Sequence, residues 1–359
     1  MTRMTKKQNL SPTISIGDKL VGENYPVFII AELSANHLQK YDLAVKTIHA
    51  MKKAGADAVK LQTYTPDTIT IDCNNKYFQI RKTIWKRQTL YSLYQTAYTP
   101  WEWQPRLKKI AEGLGLICFS SAFDTSAVDF LEKMNVPAYK IASPEILDIP
   151  LIEYIAKKGK PMIISTGIAS LAEIDEAVNT CKKAGNNQII ILKCSSVYPT
   201  PYKEVNLRTI PNLKETFSVP VGISDHTLGV SIPIAAVALG ARIVEKHFIL
   251  DRNIGGTDSK FSLEPQEFKT MVDSIRQVEQ SLGQITYNVT SKNMQEERNE
   301  ARSLFVVKNI KKGEIFTLEN LRSIRPGYGI SPKYFKEILG KKSKTDIPRG
   351  TPLDWSLLI

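Results

Sequence analysis

PMIIST at 161–166, SLAEIDEAVNTCKKAG at 170–185 and QIIILKCS at 188–195 follow one another along the chain, and their alternation decides the fold. The two outer runs are short, nearly continuous stretches of β-branched and aliphatic residues, the pattern of strands buried on both faces. Between them Leu171, Ile174, Ala177 and Cys181 recur at helical spacing, with Ser170 placed to cap the start and Gly185 to end the last turn. Strand, amphipathic helix, strand makes one parallel βαβ unit.

Working outward, the same alternation recurs. VFIIAEL (27–33), AVKLQT (58–63), LICFSS (116–121) and AYKIAS (138–143) precede this unit; VPVGISD (219–225) and RIVEKHF (242–248) follow it. Leu43, Ile48 and Met51 mark the first helix, which closes at Gly55, and Gly115, Gly159 and Gly240 sit where later helices should end. Eight strand runs within about 250 residues, with no GxGxxG after the first, predict a (β/α)8 TIM barrel rather than an open doubly wound sheet.

The barrel is expected over residues 1–286. YNVTSKNMQEER (287–298) turns polar and reads as a linker. Residues 299–359, with SLFVVKNI, NLRSIRPG and the glycine-bearing turns KKGE and PRGT, read as a small β-rich domain. The stretch from Pro66 to Tyr98, carrying Trp85, Tyr91 and Tyr94, is a second βα loop long enough to serve as a lid or binding wall.

Composition narrows the function class. MTRMTKKQNL lacks the apolar core of a signal peptide, and no apolar run reaches the roughly 20 residues that span a bilayer, so a cytoplasmic protein with no membrane partner is expected. Cys73, Cys118, Cys181 and Cys194 are scattered without a CxxC pair, which suits reduced thiols. The net charge is +12, and from Asn299 onward 12 Lys and Arg stand against 6 Asp and Glu. Acidic and apolar residues interleave there as on a folded surface, so attraction of a small anion is expected and nucleic-acid binding is not.

Active sites of such barrels lie at the C-terminal strand ends. Glu32, Lys60, Gln62, Ser120, Ser121, Lys140, Ser143, Glu145, Ser165, Thr166, Ser195, Ser196, Tyr198, Ser224, Asp225, Glu245 and Lys246 all fall at or just past such ends, as do His37, His226 and His247. Burying that many polar groups without a ligand is costly. His226 and His247 end neighbouring strands, so their rings can converge on one divalent cation held in an open site. His49, in mid-helix, reads as a helix-face residue. Lys60 and Lys140 with the surrounding hydroxyls describe a pocket for phosphate and carboxylate groups. A Schiff-base lysine of an aldolase, or a carbohydrate-binding module, is the other reading these residue types allow.

The order and spacing of IIAELSANH (29–37), VKLQT (59–63), PAYKIASPE (137–145), ISTG (164–167), YPTPY (198–202), GISDHTLG (222–229) and EKHF (245–248) resemble the sialic acid synthase family, and RPGYG (325–329) resembles its C-terminal antifreeze-like SAF domain. The resemblance implies a transferase that condenses phosphoenolpyruvate with an aminosugar, uses Mn²⁺, Mg²⁺ or Co²⁺, and works as a domain-swapped homodimer. It implies catalytic roles for Glu32, Lys60, Lys140 and Glu245. Lys60, Ser121, Lys140, Ser143, Ser165 and Ser224 would bind phosphoenolpyruvate. Gln62, Ser196, Tyr198, Asp258 and Arg325 would face the sugar, and His226 and His247 would ligate the metal. The family's Ser-Thr-Pro-Phe at the third strand is Ser120-Ser121-Ala122-Phe123 here, and the Asn typical of N-acetylneuraminate synthases is Ser196. LYSLYQTAYTPWEWQP (90–105), DSKFSLEP (258–265) and GYGISPKYF (327–335) resemble the pseudaminic acid branch, which uses 2,4-diacetamido-2,4,6-trideoxy-L-altrose; N-acetylneuraminate and legionaminate synthases are the neighbouring branches. Ser196 and the Trp101 to Trp103 segment are expected to decide between these sugars.

Overall fold

The computed structural model describes residues 12–81 and 83–359. The chain enters as an antiparallel hairpin of β1 (Ile14–Ile16) and β2 (Lys19–Val21), turning at Gly17 with φ of +59°. A Cβ on Gly17 would sit 3.3 Å from the Ile117 side chain and 4.0 Å from that of Pro137. Ile117 opens a barrel strand and Pro137 just precedes another, so the hairpin covers the barrel's N-terminal end and buries Ile14, Ile16 and Val21 there. The sequence pattern gave no expectation for this hairpin.

β3 (Phe28–Glu32), β4 (Ala58–Thr63), β5 (Ile117–Ala122) and β6 (Tyr139–Ile141) pair in parallel, in chain order. β7 (Met162–Ser165), β8 (Ile189–Cys194), β9 (Val221–Asp225) and β10 (Ile243–His247) continue the sheet, and β10 pairs with β3 to close it. The expected eight-stranded parallel barrel is present. All five residues of β3, β9 and β10 are buried, the apolar ones toward the start of each strand and the polar ones at its C-terminal end.

Helices α1 (Tyr41–Lys53), α2 (Pro66–Ile69), α3 (Leu90–Ala97), α4 (Gln104–Gly113) and α5 (Thr125–Lys133) lie in the first half. α6 (Ile149–Ala156), α7 (Leu171–Lys183), α8 (Thr209–Phe217), α9 (Ser231–Ala238) and α10 (Pro265–Leu282) complete this unit. α7 starts with a capping box in which the Ser170 and Glu173 side chains exchange backbone bonds, and the chain leaves it through Gly185 at φ of +87°. It buries Ile174, Ala177, Val178 and Cys181, whereas Leu171, expected on that face, is in the first turn and 57% exposed. α2 and α3 fold the long second loop into two capped helices.

This compact unit ends at Gly283, and a second spans Gln284–Ile359. Within the second, helix α11 (Lys292–Asn299) occupies the stretch expected to be a bare linker; it buries nothing and is capped by Ser291. β11 (Ser303–Val306) and β12 (Leu321–Ile324) pair antiparallel, and α12 (Phe335–Ile338) follows. Leu304, Val306, Ile310, Phe316, Leu321 and Leu353 form this unit's own core. Among the described residues no helix is long and apolar enough to cross a membrane.

Candidate active site

Strand alternation sends every second side chain to the barrel interior, and at the C-terminal ends those side chains are polar. Lys60 on β4 stands between two carboxylates: its Nζ is 2.5 Å from Glu32 Oε2 and 3.2 Å from Glu245 Oε1. It also donates to Ser121 Oγ at 3.3 Å, while Ser224 Oγ donates to Glu245 Oε1 at 2.8 Å. Two strands over, on β6, Lys140 Nζ donates to Ser165 Oγ at 2.7 Å and to the Ile141 carbonyl at 2.9 Å.

Burial sets these groups apart electrostatically. It raises the Glu32 carboxyl above the usual range, against the pull of Lys60. It works against ionised Glu245 too, but Lys140 and Lys60 outweigh it and hold that carboxyl low. Burial lowers Lys140 to about 8. For Lys60 the charges of Glu245 and Glu32 overcome burial and push it up. Two carboxyls with opposite shifts around one fixed cation suit one group that carries a proton and one that stays anionic.

The cavity above them encloses about 440 Å³. Its floor carries Lys60, Lys140, Ser121, Ser143, Ser165, Ser224 and Glu245. Gly167 allows a close approach beside it: a Cβ there would fall 2.2 Å from Ser196 Oγ and 2.5 Å from Ser143 Oγ. Gln62, Tyr198 and Asp258 line the same cavity, with Gln62 donating to Ser34 Oγ at 3.1 Å and Ser34 in turn bonded to Asp258.

His226 and His247 bring their rings together, centroids 5.2 Å apart, with Phe261 edge-on to both. Burial lowers His226 to about 4 and His247 well below its usual value, so both are neutral, the form that ligates metals. His226 Nδ1 lies 3.3 Å from the Ser195 carbonyl; a proton donated there leaves Nε2 free. His247 Nδ1 is buried without a hydrogen-bond partner, 3.7 Å from Asp258 Oδ2. Two neutral imidazoles with an adjacent carboxylate fit an open divalent-cation site. No cluster of three or more His, Cys, Asp or Glu suited to a metal occurs among the described residues.

His37 takes no part: its Nε2 pairs with Thr99 Oγ1 at 3.1 Å and its ring packs on Trp103. Trp101 and Trp103, expected beside the sugar, lie elsewhere. Trp101 donates to the Tyr64 carbonyl and stacks near Phe130, and Trp103 packs on Tyr41. Besides Tyr198 and the two histidines, the aromatic residues that do line the cavity are Tyr64, Trp85, Tyr94, Phe123 and Phe261. Ser196 turns its hydroxyl toward Gly167 and Ser143, on the side of the floor, and lines a neighbouring cavity with Arg81, Lys86 and Lys260. Lys246 and Asp225 pair with each other and are absent from the cavity wall. Arg325 is exposed on the second unit. Glu145, seen at the fourth strand end but given no role, lines the cavity; burial raises it to about 7 and its Oε2 has no partner.

A model described as the NeuB family matches residues 47–287, and one described as the SAF domain matches residues 301–359. The chain is 48% identical to the pseudaminic acid synthase of Campylobacter jejuni, over 91% of this chain and 95% of that protein. It is 45% identical to the pseudaminic acid synthase of Helicobacter pylori, over 91% and 96%. A crystal structure of N-acetylneuraminic acid synthetase from Leptospira borgpetersenii superposes with a TM-score of 0.72 at 34% identity, covering 80% of this chain and 95% of that one.

Proposed function

The chain belongs to the NeuB family, and from that premise we propose that it is a pseudaminic acid synthase, condensing phosphoenolpyruvate with 2,4-diacetamido-2,4,6-trideoxy-L-altrose and water to give pseudaminic acid and phosphate. The observation that carries this reading is the floor of the cavity: two buried lysines and four serine hydroxyls beside a neutral histidine pair. The sugar assignment is supported by the 48% and 45% identities to pseudaminic acid synthases. The Leptospira synthetase, an N-acetylneuraminate enzyme, is at 34%.

In this reading Lys60 and Lys140 hold the phosphate and carboxylate of phosphoenolpyruvate, and Ser121, Ser143, Ser165 and Ser224 supply directed donors. His226 and His247 would hold a divalent metal (Mn²⁺, Mg²⁺ or Co²⁺), which when bound polarises the aldehyde of the open-chain sugar. C3 of phosphoenolpyruvate attacks that carbon while protonated Glu32 gives its proton to the aldehyde oxygen, leaving a cation at C2 that anionic Glu245 stabilises. Glu32 orients the water that captures it and takes its proton; the adduct then loses phosphate by C–O cleavage. Gln62, Tyr198 and Asp258 face the sugar, with Glu145 a further polar group on that cavity. A cytoplasmic location belongs to the proposal, because phosphoenolpyruvate is made there. So does a domain-swapped homodimer in which Arg325 of a second copy reaches the sugar; the exposure of Arg325 supports that part.

The test is phosphate release from phosphoenolpyruvate with the trideoxy sugar, N-acetylmannosamine and the legionaminate precursor, each with a divalent ion. Turnover with the trideoxy sugar foremost supports the reading. Preference for another aminosugar moves the chain to that branch, and condensation with pyruvate in place of phosphoenolpyruvate overturns the synthase chemistry.

A further inference from the structure

The strand tips that carry the two histidines hold a second polar pair on the opposite side. Asp225 and Lys246 are register partners on β9 and β10, their side chains 2% and 0% exposed, and they form an ion pair. Each immediately precedes one histidine in the chain. Both also grip Thr227, on the far side of His226: Asp225 Oδ1 accepts from its backbone N–H at 3.1 Å and Oδ2 from its hydroxyl at 3.0 Å. Lys246 Nζ donates to the Thr227 carbonyl at 2.5 Å. The backbone at His226 is thus fixed from residue 225 and from residue 227, and both anchors are tied to the residue before His247.

A fully buried ion pair is a poor source of net stability, since apolar residues of similar volume usually do as well. Its value lies in directed, short-range geometry. Here that geometry spans the two strands whose spacing sets the distance between the imidazoles. We propose that Asp225, Lys246 and Thr227 form a positioning clasp that fixes the separation of His226 and His247 and so sets the affinity of the site for a divalent cation. None of the three lines the 440 Å³ cavity. The inference rests on the metal-site reading above.

The experiment measures Mn²⁺ binding by calorimetry on the full chain without substrates, together with thermal unfolding in chelator. An Asp225→Asn/Lys246→Met variant removes the ion pair, leaves no lone charge and keeps an acceptor for Thr227. The Mn²⁺ dissociation constant should rise about 10- to 100-fold, the scale seen when outer partners of metal ligands are lost. The unfolding midpoint of the chelated protein should shift by only a few degrees. A dissociation constant within twofold of the unaltered protein overturns the clasp. Should the double variant not fold, Thr227→Val, which deletes one hydroxyl, carries the same test: a several-fold weaker affinity supports the clasp and an unchanged one overturns it. Failure of the unaltered protein to bind any divalent ion is a separate result that overturns the metal-site reading itself.

Discussion

Lys60 and Glu32 are register partners on adjacent strands, and the lysine ammonium lies 2.5 Å from the carboxylate with neither side chain more than 5% exposed. Because Lys60 also reaches Glu245 at 3.2 Å, one cation keeps two buried carboxyls from repelling each other. A phosphate or carboxylate arriving at Lys60 competes for that cation, and proton uptake by Glu32, already raised by burial, relieves the conflict.

Glu32→Gln removes the proton carrier while keeping the shape and freeing Lys60 for its anion. Phosphoenolpyruvate should bind at least as well as before, and single-turnover phosphate release should be about 10²–10⁴ times slower, the scale of a positioned acid–base group. Near-normal turnover would leave Glu32 a structural role.

Lys140 gives the site a pH dependence of definite sign. Burial lowers it to about 8, and only the protonated form attracts an anion. Binding of phosphoenolpyruvate should therefore be complete below pH 8 and weaken as pH rises through that value. A calorimetric series from pH 6.5 to 9.5 checks this. Lys140→Met should bind weakly throughout and lack that limb.

Gly167→Ala should strike the site and spare the fold. The new methyl would meet the hydroxyls of Ser196 and Ser143, which must turn away, Ser143 losing its bond from the Ile168 N–H. Losing a directed hydrogen bond to a charged ligand costs about 1.5–3 kcal/mol, roughly 10- to 100-fold in KM for phosphoenolpyruvate. The melting temperature should barely move; a large drop would mean the glycine serves packing instead.

Mixing two inactive proteins, Arg325→Ala and Lys60→Ala, after mild dissociation tests the swapped dimer. If Arg325 acts on a partner's barrel, half the sites of a mixed dimer regain both residues and activity returns. Mixed dimers that form and stay inactive exclude the arrangement.

The barrel was legible because each strand is buried on both faces and so is written as a short, mostly apolar run with polar residues gathered toward its end. The pocket floor was legible because strand ends with polar residues are conspicuous against those runs. Direction was harder. Trp101 and Trp103 sit next in sequence to the long loop, yet their rings pack against Phe130, Tyr41 and His37, and nothing in composition tells an aromatic ring which way to turn. Period-two alternation would have placed Lys246 away from Glu245 and His247, since neighbours on a strand face opposite sides. The helix Lys292–Asn299 escaped notice because it buries nothing and is marked by its Ser291 cap instead of an apolar face. The N-terminal hairpin is too short for alternation to stand out: Ile14, Ile16 and Val21 are its only buried residues.

The packed barrel has a kinetic consequence. Its interior is filled by side chains, so the way in is the C-terminal end, past half-buried Trp85 and Tyr198. The anchors at Lys140 and Ser165, 1% and 2% exposed, are among the most buried residues of the cavity lining. A molecule seated on those anchors has to arrive before one seated against Tyr198 and depart after it. If those anchors hold phosphoenolpyruvate, it is expected to add before the sugar, an order that dead-end inhibition patterns would check.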